Sequence, residues 1–115
     1  MRALRDRTPG KIHLLTCRTR ASELLLVPEA RLNNCIGGII AKYATVYKIK
    51  IYALCVLSNH YHILASSDDG NLSIFAENIN REISKRVNRL LKRKGSFWGR
   101  RYDDQVAVEA ADGFE

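Results

Sequence analysis

The chain has 115 residues, with 19 Lys and Arg against 12 Asp and Glu, for a formal net charge of +7. That length suits one domain with one core, and a hydrophobic share of 46% excludes wholesale disorder. No apolar run approaches the ~20 residues of a membrane span, and Met1 to Gly10, with Arg2, Arg5 and Arg7, lacks the apolar stretch of a secretory signal.

The three cysteines, Cys17, Cys35 and Cys55, form no CxxC pair and no zinc spacing. They predict a cytoplasmic chain with reduced, buried thiols and no membrane partner. Pro9-Gly10 signals a turn. Residues 11–18 (KIHLLTCR) then predict a strand, with His13 on the opposite alternation from Ile12 and Leu14. A surface position is the commoner outcome for such a histidine. Pro28 suits the first turn of a helix, and Leu32, Cys35, Ile36, Ile39, Ile40, Tyr43 and Tyr47 follow at helical spacing. Gly37-Gly38 inside that helix costs roughly 1 kcal/mol per glycine, which close packing against a neighbour would rationalise.

Residues 49–57 (IKIYALCVL) are almost continuously apolar and predict a central strand buried on both faces. Ser58-Asn59 is a tight turn, and 60–66 (HYHILAS) a second strand of the same hairpin. Residues 67–71 (SDDGN) are a loop, with Asn71 or Ser73 as a helix cap. The next helix, 73–94, carries Phe75, Ile79, Ile83, Val87, Leu90 and Leu91 as its apolar stripe and ends at Gly95. A loop over 95–102 holds Phe97-Trp98 among glycines and arginines, and 105–109 (QVAVE) alternates as a last strand. The order β, α, β, β, α, β predicts an α+β, ferredoxin-like fold: four antiparallel strands with two helices on one face. Residues 1–108 form the domain. Residues 109–115 read as an acidic tail, the start of a C-terminal region of a longer protein.

Charge is concentrated. Arg81, Lys85, Arg86, Arg89, Lys92, Arg93, Lys94, Arg100 and Arg101 lie within one segment, opposed only by Glu82, so nine basic residues against one acid give +8. An ordinary solvated face is the alternative to phosphate contact, and so high a local charge favours phosphate. Trp98 either stacks on a base, worth roughly 1–3 kcal/mol, or plugs the edge of the core. His60 and His62 share one strand face, where two imidazoles can share a divalent metal. Spacing alone leaves open that they are surface or core histidines.

With these residues in view, the sequence resembles the HUH transposases with a single catalytic tyrosine, especially the REP-associated tyrosine transposase branch. The likeness runs from about Thr8 to Val108. It is carried by the opening strand Pro9 to Arg18, by the run from Tyr52 to Leu64 that contains Asn59-His60-Tyr61-His62, and by the loop Gly95 to Arg101. The resemblance implies that His60, His62 and a third polar ligand hold Mg2+ or Mn2+. It implies a metal-polarised scissile phosphate of single-stranded or hairpin DNA, attack by a helix tyrosine that stays attached as a phosphotyrosine, and work as a homodimer. Asn80, Glu82 and Asn88 are candidates for the third ligand.

The sequence departs from that pattern at the nucleophile, expected on the helix between Asn80 and Asn88. No tyrosine lies there. The aligned position is Ile83 or Arg86, and Ser84 has no neighbouring base. Tyr102, after the helix, is the tyrosine that could fold back. Two functions follow: a transposase that cuts and joins single-stranded or hairpin DNA with His60, His62 and a metal, or an inactive, domesticated relative that binds DNA uncut. The DNA-binding residues of either are Arg81, Lys85, Arg89, Lys92, Arg93, Lys94, Trp98, Arg100 and Arg101. An RNA-binding domain is a third option, but the strands lack its aromatic pattern.

Overall fold

The structure, a computed structural model, describes residues 11–27 and 29–108 apart from the Val108 side chain. The proline at 28, the arginine-rich start and the acidic tail at 109–115 lie outside them. The elements in chain order are β1 (Ile12–Arg18), a 3-10 turn (Arg20–Ser22), α1 (Ala30–Val46), β2 (Ile49–Leu57), β3 (His60–Ser67), α2 (Leu72–Leu90) and β4 (Asp103–Val108). The strands form one sheet in the order β2-β3-β1-β4, and every neighbouring pair is antiparallel. Both helices lie on one face, giving the α+β, ferredoxin-like arrangement that the element order predicts.

The core lies between the helices and that face. Leu15 and Cys17 from β1, and Tyr61, Ile63 and Ala65 from β3, alternate inward and are at most 2% exposed. Phe75, Ala76, Ile79, Ile83 and Val87 of α2 recur at helical spacing and are fully buried against them. Each large apolar side chain buried this way contributes roughly 1.5–3 kcal/mol. The opposite face of β1 and β3 presents Thr16, Arg18, His60, His62 and Leu64 by the same alternation. No described helix packs there.

The structure corrects several expectations. β2 is an edge strand, not a central one. Only Ile49 is buried, and Ile51, Tyr52, Leu54 and Leu57 are exposed. An apolar run is compatible with either place in a sheet, and pairing chose β3 and β1 for the middle. α2 ends at Leu90, four residues before the predicted end, because Lys92 takes a left-handed backbone (φ 53°). Gly95 (φ 96°) also has a positive φ, but beyond the helix end. The cap expected of Asn71 or Ser73 is absent as a side-chain bond; instead the Asn71 backbone N–H donates to Ser67 Oγ at 2.8 Å. The final strand begins two residues earlier than predicted, taking in Asp103 and Asp104.

Gly37 and Gly38 do not mark close packing either, since a Cβ at either would meet nothing within 4 Å. Of the thiols only Cys17 is buried; Cys55 is exposed on β2. His13 is not a surface residue. It is 1% exposed on the helix-facing side, with Nδ1 2.5 Å from Asp104 Oδ1 across the β1–β4 pair.

Candidate functional site

His60 opens β3 directly after the Ser58-Asn59 turn, and strand alternation brings His62 to the same face. Their ring centroids are 4.8 Å apart and the rings are perpendicular. Each ring is steered through Nδ1. That of His60 lies 2.8 Å from Asn59 Oδ1, and that of His62 3.0 Å from Thr16 Oγ1. With Nδ1 protonated on both rings, these bonds are made and both Nε2 lone pairs remain for a cation, the arrangement by which outer partners orient metal-binding histidines. Partial burial, then the Arg18 guanidinium, then His62 lower the pKa of His60. All three favour the neutral ring, the form that binds metal.

The donor set fits half of a metal site. Among the described residues no group of three His, Cys, Asp or Glu is placed to hold an ion. Two imidazole nitrogens leave the remaining positions of a divalent cation to water, phosphate oxygens or other ligands. The three residues considered as a third ligand are elsewhere. α2 packs on the opposite face of the sheet, where Asn80 accepts the Tyr61 hydroxyl at 2.5 Å and donates to Cys17 Sγ at 3.6 Å. Glu82 faces Lys42 of α1 at 3.6 Å, and Asn88 donates to the Gly95 carbonyl at 3.1 Å.

Within one protomer, the same geometry keeps α2 on the far side of the sheet from this pair. Ile83 is fully buried in the core, and the Ser84 hydroxyl donates to the Arg81 carbonyl of its own helix at 2.8 Å. Tyr102 is 1% exposed within the core, so its hydroxyl does not share the histidine face. Tyr61, between the histidines, also points into the core. Burial, then the neighbouring Cys17, raise its pKa well above 10, which keeps it a hydrogen-bond donor.

The predicted DNA-binding residues fall into three groups. Arg81, Lys85, Arg89, Lys92 and Lys94 are exposed on or just after α2, in the helical layer and away from the histidines. Arg93 and Trp98 are engaged internally. Arg93 donates to Asn88 Oδ1 at 2.8 Å and to the Ser96 carbonyl at 3.2 Å, and lies over the Phe97 ring. The Trp98 indole N–H donates to the Asn80 carbonyl at 2.8 Å, and its ring meets Tyr61 and Phe97 edge-on. Trp98 thus takes the core-plugging role. Arg100 and Arg101 are on the histidine side, in a cleft they share with Thr16, Arg18 and Asp103.

Sequence alone assigned no separate role to Arg18 and did not mark Thr16 or Asn59 as orienting groups. The parity of 16 and 18 on a strand was visible. The register that sets Thr16 against His62 and Arg18 against His60 was not.

Comparison with known proteins now decides the family. The family model described as "Transposase IS200 like" matches residues 9–109. The chain belongs to the IS200-like transposase family. Among solved structures, it is similar to a REP-associated tyrosine transposase bound to a REP hairpin, at 20% identity and a TM-score of 0.71. That match covers 97% of this chain and 65% of the other, so the chain spans about two thirds of that relative's length. It is also similar to a candidate transposase from Deinococcus radiodurans R1, at 17% identity and a TM-score of 0.68, covering 96% of this chain and 89% of that one. At these identities the two structures speak for the shared fold. No curated protein matches the chain. No helix among the described residues of this family member is long and apolar enough to cross a membrane.

Proposed function

We propose that this IS200-like family member acts on single-stranded or hairpin DNA by metal-assisted strand cleavage and joining, with His60 and His62 holding Mg2+ or Mn2+. The observation that carries the reading is the pair of adjacent imidazoles on an open sheet face, each tied through Nδ1. When bound, the divalent ion supplies Lewis-acid polarisation of the scissile phosphate. Asn59 and Thr16 fix the rings that receive it. The exposed cations of α2 and the following turn, Arg81, Lys85, Arg89, Lys92 and Lys94, together with Arg100 and Arg101, hold DNA phosphates.

Among the described residues of one protomer no tyrosine hydroxyl lies beside the pair. The Tyr52 hydroxyl is 3.0 Å from Ser66 Oγ, four residues along β3 from His62. The attack on phosphorus therefore needs a hydroxyl brought to this face from elsewhere. Pairing of two copies in a homodimer, through the edge of β2 that no described strand covers, with its exposed Ile51, Leu54 and Leu57, is part of the proposal, because an apolar sheet edge favours strand addition. We place the protein in the cytoplasm.

The absence of a described tyrosine at the site favours a second reading, a relative that binds DNA without cutting it. Incubation with Mn2+ and a single-stranded oligonucleotide, followed by denaturing electrophoresis, separates the two. Cleavage predicts a covalent protein–DNA adduct that is lost with a chelator and in His60→Ala. Salt-sensitive binding with no adduct under any metal condition establishes the binding-only reading.

A further inference from the structure

The cleft beside the histidines, about 250 Å3, is lined by Thr16, Arg18, Arg100, Arg101 and Asp103. Three arginines and one carboxylate line it, so the cleft is net positive, although the Arg101 guanidinium leans over the Tyr102 ring toward α2. The exposed Glu77 touches only Arg101, at 3.9 Å, and so loose a surface contact neutralises little.

Backbone contacts position the cleft. The Gly99 N–H donates to the Arg18 carbonyl at 2.9 Å, and the Arg20 N–H to the Phe97 carbonyl at 2.9 Å. Thr19 and Trp98 form a β-bridge. The approach is close at Gly99, where a Cβ would lie 3.1 Å from the Thr19 carbonyl oxygen and 3.3 Å from Arg20 Cα. Cys17 Sγ reaches the Arg100 carbonyl at 3.7 Å. The loop is thereby stitched to the end of β1, and Arg100 and Arg101 are held across from Arg18.

Two contacts join the cleft to the histidines. Arg18 pairs across the strands with His60, and Thr16, a wall of the cleft, holds His62 through its hydroxyl. Arginine forks match phosphate oxygens two at a time. We propose that Arg18 and Arg100, with Arg101 at the margin, seat a backbone phosphate of single-stranded nucleic acid, next along the strand to the one presented to His60 and His62, and so set which phosphodiester reaches the pair. The seat rests on the functional reading above for the direction of the strand. Asp103, at the same cleft, bounds the seat by repelling a second anion.

The test uses the full chain, a labelled single-stranded oligonucleotide and chelator-containing buffer, with binding followed by fluorescence anisotropy across a salt series. Arg18→Gln combined with Arg100→Gln is expected to weaken binding roughly tenfold and to flatten the slope of log K against log salt by about 0.7 per lost phosphate contact. Arg18→Lys, which keeps the charge and loses the fork, is expected to restore the slope and only part of the affinity. A series of oligonucleotides carrying one neutral methylphosphonate each locates the seat: the wild type loses affinity at one position to which the double variant is indifferent. Wild-type affinity and slope in the double variant, or an unchanged methylphosphonate profile, overturns the proposal. Inorganic phosphate that competes with the strand in the wild type but not in the double variant supports the seat, because the free ion then occupies the same guanidinium forks. An oligonucleotide that the wild type does not bind refutes the functional reading itself. A folded double variant with unchanged binding refutes the seat alone.

Discussion

Tyr61 shows how one residue serves both faces of the sheet. It separates the two histidines in sequence and drops its ring into the core, where its hydroxyl donates to Asn80 and its ring meets Trp98 edge-on. Tyr61→Phe leaves Asn80 Oδ1 without that donor and is expected to cost about 1–3 kcal/mol, read as a lower midpoint in denaturant. His60→Ala, at a partly buried position on the open sheet face, should lower that midpoint little while abolishing Mn2+ binding followed by electron paramagnetic resonance. Cys17 gives a pH test. Burial pushes its thiol pKa up to about 12, while an unfolded thiol titrates near 9.0. Between those values the unfolded chain has shed a proton that the folded chain keeps. The contribution of Cys17 is therefore complete below pH 9 and declines as pH rises. Cys17→Ala should flatten the alkaline fall in stability relative to wild type. In the folded protein a thiol reagent should modify exposed Cys55 long before Cys17.

At the level of elements, two pairs of features that look alike in sequence separate by context. Gly37 and Gly38 sit in α1 with open space at each missing Cβ, so they carry the helix penalty without a steric reason. Alanine at either is expected to stabilise by about 0.8–1 kcal/mol, measurable as a raised thermal midpoint. Gly99 lies against β1 backbone, which cannot swing aside as a side-chain end would. Alanine there is expected to destabilise by about 1–3 kcal/mol, and, because the same contact carries Arg100, to weaken oligonucleotide binding as well. β2 and β3 form the other pair. Both are apolar, but β3 is covered on its helix side and β2 is an edge with exposed Leu54 and Leu57. Leu54→Lys should therefore be tolerated by the monomer fold and should shift a dimer toward monomer by sedimentation.

Across the whole molecule, the positive charge is divided by the sheet. Arg81, Lys85 and Arg89 belong to the helical layer, and Arg18 and Arg100 to the histidine side. The two groups can be titrated separately. Replacing Arg81, Lys85 and Arg89 together by Gln is expected to reduce the salt slope of DNA binding while leaving Mn2+ binding at His60 and His62 intact, and His60→Ala with His62→Ala to do the reverse. If the helix variant lost Mn2+, or the histidine variant lost the salt slope, the two surfaces would be one.

The sequence by itself determined the order of elements, the inward stripe of α2 and the shared face of His60 and His62, because each follows from a local period of 3.6 or 2 residues. The family likeness was legible too, since its residues lie in short runs. Strand order and register follow from contacts distant in sequence, and no local pattern reports them. Only the tertiary structure decided that β2 is an edge, that Thr16 and Arg18 lie beside the histidines, and that His13 is buried against Asp104. It also decided what α2 cannot do. Amphipathic spacing says which side of a helix faces the sheet, but not which face of the sheet it covers. Because α2 covers the face opposite His60 and His62, residues Asn80 to Asn88 of the same protomer lie across the sheet from the pair.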